Sequence, residues 1–165
     1  MITIERISHE NLPLFKLVRL NALRESPSAF GSTYAREAAF TEAEWLVRLE
    51  RWNGEKGIGF VAMDGGVGCG IAGALLDLED ETRAQLVSMW TAPTHRRHGV
   101  GKLLVDAVVV WTKSREIRTL TLMVVCTNES AIHFYEQLGF AKTGRTDPYP
   151  NDPALVEYEM SQTLS

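Results

Sequence analysis

The sequence predicts an α/β protein with a mixed sheet, and three observations carry that expectation. Segments of strand-like apolar alternation are interleaved with segments of helical spacing. A hairpin signal, Asp64-Gly65-Gly66, separates two apolar runs. A further strand leads into a glycine-bearing loop, "HRRHGVG" at 95–101, that opens a helix. The predicted order is β-α-α-β-β-β-α-β-α-β-β, and 165 residues fit one domain, 1–165.

Taken in order, "ITIERI" places Ile2, Ile4 and Ile7 in a first strand. Ser8 caps a helix through "ENLPLFKLVRLNALRE", with Pro13 in its tolerant first turn. "SPSAFGSTYAREAAF" reads as a loop or broken helix. Thr41 and Glu44 form a capping box before "EAEWLVRLERW", where Trp45 and Trp52 mark a packed face. The hairpin strands come next, with Gly68, Gly70 and Gly73 allowing close backbone approach. "AQLVSMWTA" is a strand ending at Pro93. The helix after the loop runs to about Trp111, with Val100, Leu103, Leu104, Ala107 and Trp111 on one side. "LTLMVV" reads as a central strand buried on both faces. Asn128 caps and Gly139 ends a short helix. "FAKTGR" and "LVEYEM" are the last strands, joined by a loop rich in proline.

Composition narrows the function classes. Hydrophobic residues make up 45% and charged residues 23%, as in an ordinary globular chain. A net charge of -4 argues against a general nucleic-acid binder. Cys69 and Cys126 have no metal-ligand spacing and read as free thiols in a reducing compartment. "MITIERISHE" is no signal peptide and no apolar run reaches membrane-spanning length, so the cytoplasm is the expected location, without membrane partners. His95 and His98 stand three apart in a loop with no carboxylate or thiol nearby, so no metal is expected. His133 reads as a surface residue.

The glycine loop concentrates positive charge, since no acid occurs from Pro93 through Val105. A Walker A loop would need glycine at Arg96 and Ser or Thr at Leu103, and a dinucleotide fingerprint would need glycine at Leu104. A third pattern, Arg/Gln-x-x-Gly-x-Gly/Ala between strand and helix, is met by Arg96, Gly99 and Gly101. Glycines let successive N–H groups converge on one point, the helix N-terminus adds to them, and Arg96, Arg97 and Lys102 supply charge. The ligand expected there is a pyrophosphate.

With "LVSMWTAPTHRRHGVGKLLV" and "TNESAIHFYEQLGF" the chain resembles the GNAT superfamily of N-acetyltransferases over nearly its whole length. In the second segment Asn128, Ala131, Phe134, Tyr135, Gly139 and Phe140 match the family signature. The resemblance implies a mostly antiparallel sheet of six to seven strands, about four flanking helices, and two central strands that splay to admit acetyl-CoA as co-substrate. It implies that the backbone of Met89, Trp90 and Thr91 bonds the pantetheine arm and that the N–H groups of Arg97, His98, Gly99, Val100, Gly101 and Lys102 cradle the pyrophosphate. Asn128 and Tyr135 are placed near the thioester. A homodimer is common in such a family.

Acetyl transfer needs a neutral amine, a polarised carbonyl and a proton for the leaving thiolate. Tyr135 is the candidate general acid. Gln85 stands where many relatives carry a glutamate base, so that role falls among Glu37, Glu81, Glu157, Glu159 and a water chain. The resemblance places "SPSAFGSTYAREAAF" and "GRTDPYPNDPAL" as acceptor walls, whose Glu37, Asp147 and Asp152 suit a cationic amine and whose Arg36 and Arg145 suit a carboxylate. The function read is acetyl transfer to a primary amine of a small molecule or peptide by direct attack in a ternary complex. The alternative is a non-catalytic acyl-CoA-binding sensor or structural module on the same fold.

Overall fold

A computed structural model describes all 165 residues. Seven strands form one sheet: β1 (Ile2–Arg6), β2 (Gly57–Asp64), β3 (Val67–Leu76), β4 (Arg83–Thr91), β5 (Thr119–Val125), β6 (Ala141–Tyr149) and β7 (Asp152–Thr163). The helices are α1 (Leu12–Glu25), α2 (Tyr34–Ala38), α3 (Glu42–Glu50), α4 (Val100–Ser114) and α5 (Glu129–Gln137). Strand order is β1-β2-β3-β4-β5-β7-β6, antiparallel throughout except for the β4–β5 pair. The mixed, mostly antiparallel sheet expected from the sequence is therefore present, with one short helix more than expected.

Local signals place most element ends. Thr41 Oγ1 accepts from the Glu44 N–H at 3.2 Å, and the Glu44 carboxylate returns to Thr41. Asn128 Oδ1 accepts from the Ala131 N–H at 3.3 Å, and Gly139 follows α5 at φ 95°, the left-handed position that glycine takes without penalty. Ser8 opens a short 3-10 turn, His9–Asn11, and the first α-helix begins at Leu12, two residues later than the reading from Glu10. Pro13 then falls in the first turn, where its missing N–H costs nothing.

The two faces of the sheet carry separate cores. On one, Val100, Leu104, Val105 and Val108 of α4, with Ile132 and Tyr135 of α5, pack on Leu86, Leu120, Leu122, Val124 and Met160. On the other, Phe15, Val18, Ala22 and Leu23 of α1 and Trp45 and Leu49 of α3 pack with Trp52 on Val61, Ile71 and Trp90. The Trp52 ring lies where a Cβ on Gly59 or Gly73 would stand, so these strands carry glycine to admit an indole.

Four sequence readings are corrected. Leu103 is 42% exposed, because the α4 stripe facing the sheet is Val100, Leu104, Val108 and Thr112 at i, i+4 spacing. The helix also runs three residues past Trp111. In β5, Leu120, Leu122, Val124 and Val125 are buried but Thr121 and Met123 only partly so, and Met123 lines an open cavity. The last two strands extend through Pro148 and Pro153 and leave only a tight turn. β6 is an edge strand, where a missing N–H is tolerated.

Candidate active site

The site is built from a failure of pairing. β4 and β5 pair only at Arg83–Thr119, Ala84–Leu120 and Gln85–Thr121. Past that point β4 stays on β3 as far as Thr91–Gly70, and β5 stays on β7 as far as Val125–Glu157. The parallel strands therefore diverge into a V that opens toward their C-terminal ends. The divergence coincides with an irregularity in β4, where Ser88 takes φ 57° and the β3–β4 register shifts. A positive φ at a residue with a side chain is uncommon and needs support. Arg19 of α1 supplies it, donating from Nη1 to Ser88 Oγ at 2.9 Å.

Arg19 is itself held by a buried carboxylate. Its Nε and Nη2 donate to the two oxygens of Glu37 at 2.9 Å each, and Arg48 Nη1 reaches the same carboxylate at 3.2 Å. Glu37 is fully buried. Burial pushes its carboxyl up, but the hydrogen bonds and charge of Arg19, with Arg48 behind, hold it at about 2. It is thus an ionised structural anchor that does not line the cavity, and it leaves the set of candidate bases.

The V opens into a cavity of about 870 Å³. One end is the glycine loop. Arg97 takes φ 65° and Gly99 φ 81°, and α4 starts at Val100 without a side-chain cap, so its first N–H groups are free to meet an anion. A Cβ on Gly99 would meet nothing within 4 Å, whereas one on Gly101 would lie 2.9 Å from Phe134 Cζ. Gly99 is thus required for its backbone angle and Gly101 for the packing of α4 on α5.

Most of the expected cofactor residues come together on this cavity. Met89, Trp90, Thr91, Arg96, Arg97, Gly99, Gly101, Lys102 and Asn128 line it. His98 does not, and Val100 buries its side chain in the core, leaving only its backbone N–H on the loop. Arg96 turns toward the protein: Nε donates to the Thr91 carbonyl at 3.0 Å and Nη2 to Glu25 and Ser26. Burial raises the Glu25 carboxyl, but hydrogen bonds from Ser26 and Trp90 and the charge of Arg96 bring it below the ordinary range. Arg96 thereby ties the loop to the end of α1. His95 is a correction to the sequence reading, since a carboxylate does reach it: His95 Nε2 and Asp64 Oδ2 are 2.8 Å apart. The partner lies 31 residues away on β2, beyond any local pattern.

Tyr135 lines the same cavity, 8% exposed, with its ring against Phe134 and Phe140 at centroid distances of 5.3 and 5.9 Å. Burial alone pushes its phenol well above the ordinary value. The group therefore stays protonated at neutral pH, as a proton donor must.

The far end is walled by Ser28–Gly31, Gln85, Tyr149 and Glu157. Tyr149 Oη donates to the Phe30 carbonyl at 2.7 Å, and Asn151 Nδ2 donates to the Phe30 and Ser32 carbonyls at 3.0 and 3.1 Å. The β6–β7 turn thus clasps the loop after α1, so the two predicted acceptor walls meet. Asp152 and Arg36 stay exposed away from the cavity. Glu81 lies in the β3–β4 turn, also away from it. Glu159 accepts from Thr143 Oγ1 at 2.9 Å and Arg145 Nη1 at 3.4 Å and does not line it either.

A family model described as "Acetyltransferase (GNAT) family" matches residues 20–140. The [ribosomal protein bS18]-alanine N-acetyltransferase of Escherichia coli K12 is 35% identical over 68 residues, 41% of this chain and 46% of that protein. N-alpha-acetyltransferase 60 of Danio rerio is 34% identical over 64 residues, 37% of this chain and 26% of that protein. The chain thus spans less than half the length of the curated relatives it matches. In three dimensions it superposes on a GNAT-family acetyltransferase of Streptococcus pneumoniae with TM-score 0.80, 20% identity and full coverage of both chains. An N-acetyltransferase of Staphylococcus aureus Mu50 gives TM-score 0.81 at 19% identity, covering 100% of this chain and 99% of that one. A Vibrio cholerae spermidine N-acetyltransferase, solved with CoA and spermine, gives 0.76 at 17%, covering 99% and 95%.

Proposed function

Because the chain belongs to the acetyltransferase (GNAT) family, we propose that it transfers the acetyl group of acetyl-CoA to a primary amine of a small molecule or peptide, by direct attack in a ternary complex. The observation that carries this reading is the single cavity joining a basic glycine loop, the strand gap and the Tyr135 phenol. The residues fit the co-substrate: a cradle of N–H groups with no side chain in it, flanked by Arg97 and Lys102, suits a pyrophosphate. β4 beyond Gln85 has no β5 partner, so the backbone groups of Met89, Trp90 and Thr91 that face that edge, apart from the Thr91 carbonyl bonded by Arg96, are available to pantetheine amides and to the thioester oxygen. When bound, acetyl-CoA supplies the activated acyl group.

Tyr135 donates its proton to the departing sulfur. Its raised pKa means that a phenolate cannot persist there, so the proton is replaced from the attacking nitrogen as the bond to it forms. The test is thiol release from acetyl-CoA with spermidine, an alanine-initiated peptide, lysine and an aminoglycoside as acceptors. Amine-dependent thiol release with an acetylated product is the expected result. CoA binding without turnover on every acceptor would replace this reading with a non-catalytic acyl-CoA-binding module.

A further inference from the structure

The acceptor end of the cavity carries one carboxylate. Of the residues that line the cavity, Glu157 alone is acidic. Its backbone pairs with Val125 of β5 on one side and Asp147 of β6 on the other. It alternates with Tyr158 and Met160, which pack toward the α4–α5 core, so Glu157 points to the opposite face. Tyr135 belongs to that first core. The phenol and the carboxylate thus stand on opposite faces of the sheet, and both line the cavity.

The surrounding charges leave Glu157 free. Asp147 is paired with Arg145 at 3.0 Å, and Glu159 is held by Thr143 and Arg145. Arg19, the nearest base on α1, is spent on Glu37 and Ser88. From β5 Thr121, Met123 and Val125 face this side, from the loop after α1 Ser28–Gly31, and from β6 Asp147, paired with Arg145, and Tyr149. Glu157 makes no ion pair and donates or accepts no hydrogen bond with a side chain of the protein. Burial and the Asp147 charge push its carboxyl above the ordinary range.

We propose that Glu157 receives the ammonium group of the acceptor and removes its proton, so that the acceptor is a cationic primary amine entering between the loop after α1 and the β6–β7 turn. This rests on the acetyltransferase reading above. Glu157 takes one proton from R–NH3⁺, and the freed lone pair forms the C–N bond to the acetyl carbon. The C–S bond then breaks, Tyr135 protonates the sulfur, and the second nitrogen proton restores Tyr135. Glu157 returns its proton to solvent, so the sum is amide, free thiol and one proton. The cavity is polarised to match, with Arg97 and Lys102 at the pyrophosphate end, Arg96 being paired with Glu25, and a lone carboxylate at the other.

The test is Glu157→Gln, which keeps shape and removes the base, assayed against the acceptors named above from pH 6 to 10. CoA affinity should equal the wild type, which shows that the fold is retained. At pH 7, kcat/KM should fall by about 10²- to 10⁴-fold, the usual range for a general base. The deficit should shrink about tenfold per pH unit toward the pKa of the amine, because free amine then forms without help. It should also be smaller for a peptide α-amine, with a pKa of about 8, than for an alkylamine, with a pKa of about 10. Glu159→Gln, on the same strand but off the cavity, should keep the wild-type profile. If amines are acetylated and Glu157→Gln retains the wild-type rate and pH profile, the assignment to Glu157 is wrong and the acetyltransferase reading survives. If no amine is acetylated, the acetyltransferase reading falls and this assignment falls with it.

Discussion

Replacing Glu37 by Gln tests how the fold holds its acyl-donor gap open. The substitution keeps the volume and leaves Arg19 and Arg48 charged around a neutral amide. The fall of the Glu37 carboxyl from 4.5 to about 2 corresponds, at about 1.4 kcal/mol per pH unit, to about 3 kcal/mol of stability. Removing one partner of a buried ion pair costs about 3–5 kcal/mol by general experience, in agreement. For a chain of this size that lowers the melting temperature by about 6–20 °C. The pH dependence has a definite sign. A depressed carboxyl contributes stability that is full above pH 4.5 and is lost as pH falls through about 2. The gap between wild type and Glu37→Gln in denaturant or thermal unfolding should therefore be widest at pH 6 and close between pH 4.5 and 2. A constant gap over that range, or a variant that melts within 2 °C (roughly half a kcal/mol) of the wild type at pH 6, would refute the argument.

Tyr135→Phe keeps the ring packing and removes only the hydroxyl, so the single-turnover rate should fall about 10- to 1000-fold while acetyl-CoA affinity holds; stopped-flow thiol release at an unchanged rate would make Tyr135 a packing residue. Gly99→Asp costs only the left-handed backbone angle, about 1–2 kcal/mol, because its Cβ meets nothing, yet it should abolish CoA binding in calorimetry by opposing the phosphates. Gly101→Asp should unfold the α4–α5 contact as well, since its Cβ meets Phe134. Arg97→Ala should weaken CoA binding more at low salt than at high salt, and more steeply than Arg96→Ala, whose guanidinium is already committed to Glu25 and Thr91.

The part of the molecule legible in the sequence is the part that local backbone chemistry determines. Capping at Thr41 and Asn128, the left-handed glycines at 99 and 139, and the Asp64-Gly65-Gly66 turn act within a few residues, and each stands where the sequence placed it. The glycine loop and the Tyr135 helix belong to that class, which is why the donor end of the cavity could be named in advance. The sequence also narrowed the missing base to a handful of acids but could not choose among them, because the choice depends on strand register and on distant partners. Glu37 looks like a solvated acid on a short helix until Arg19, 18 residues earlier, and Arg48, 11 later, close on it. Asp64 and His95 are joined only because β2 ends beside the glycine loop. Glu157 differs from Glu159 by two positions on one face of one strand, and only the neighbours brought by β6 tie up the second and leave the first facing the cavity. Hydrophobic periodicity states which face a residue takes, but what stands opposite that face is decided when the strands pair.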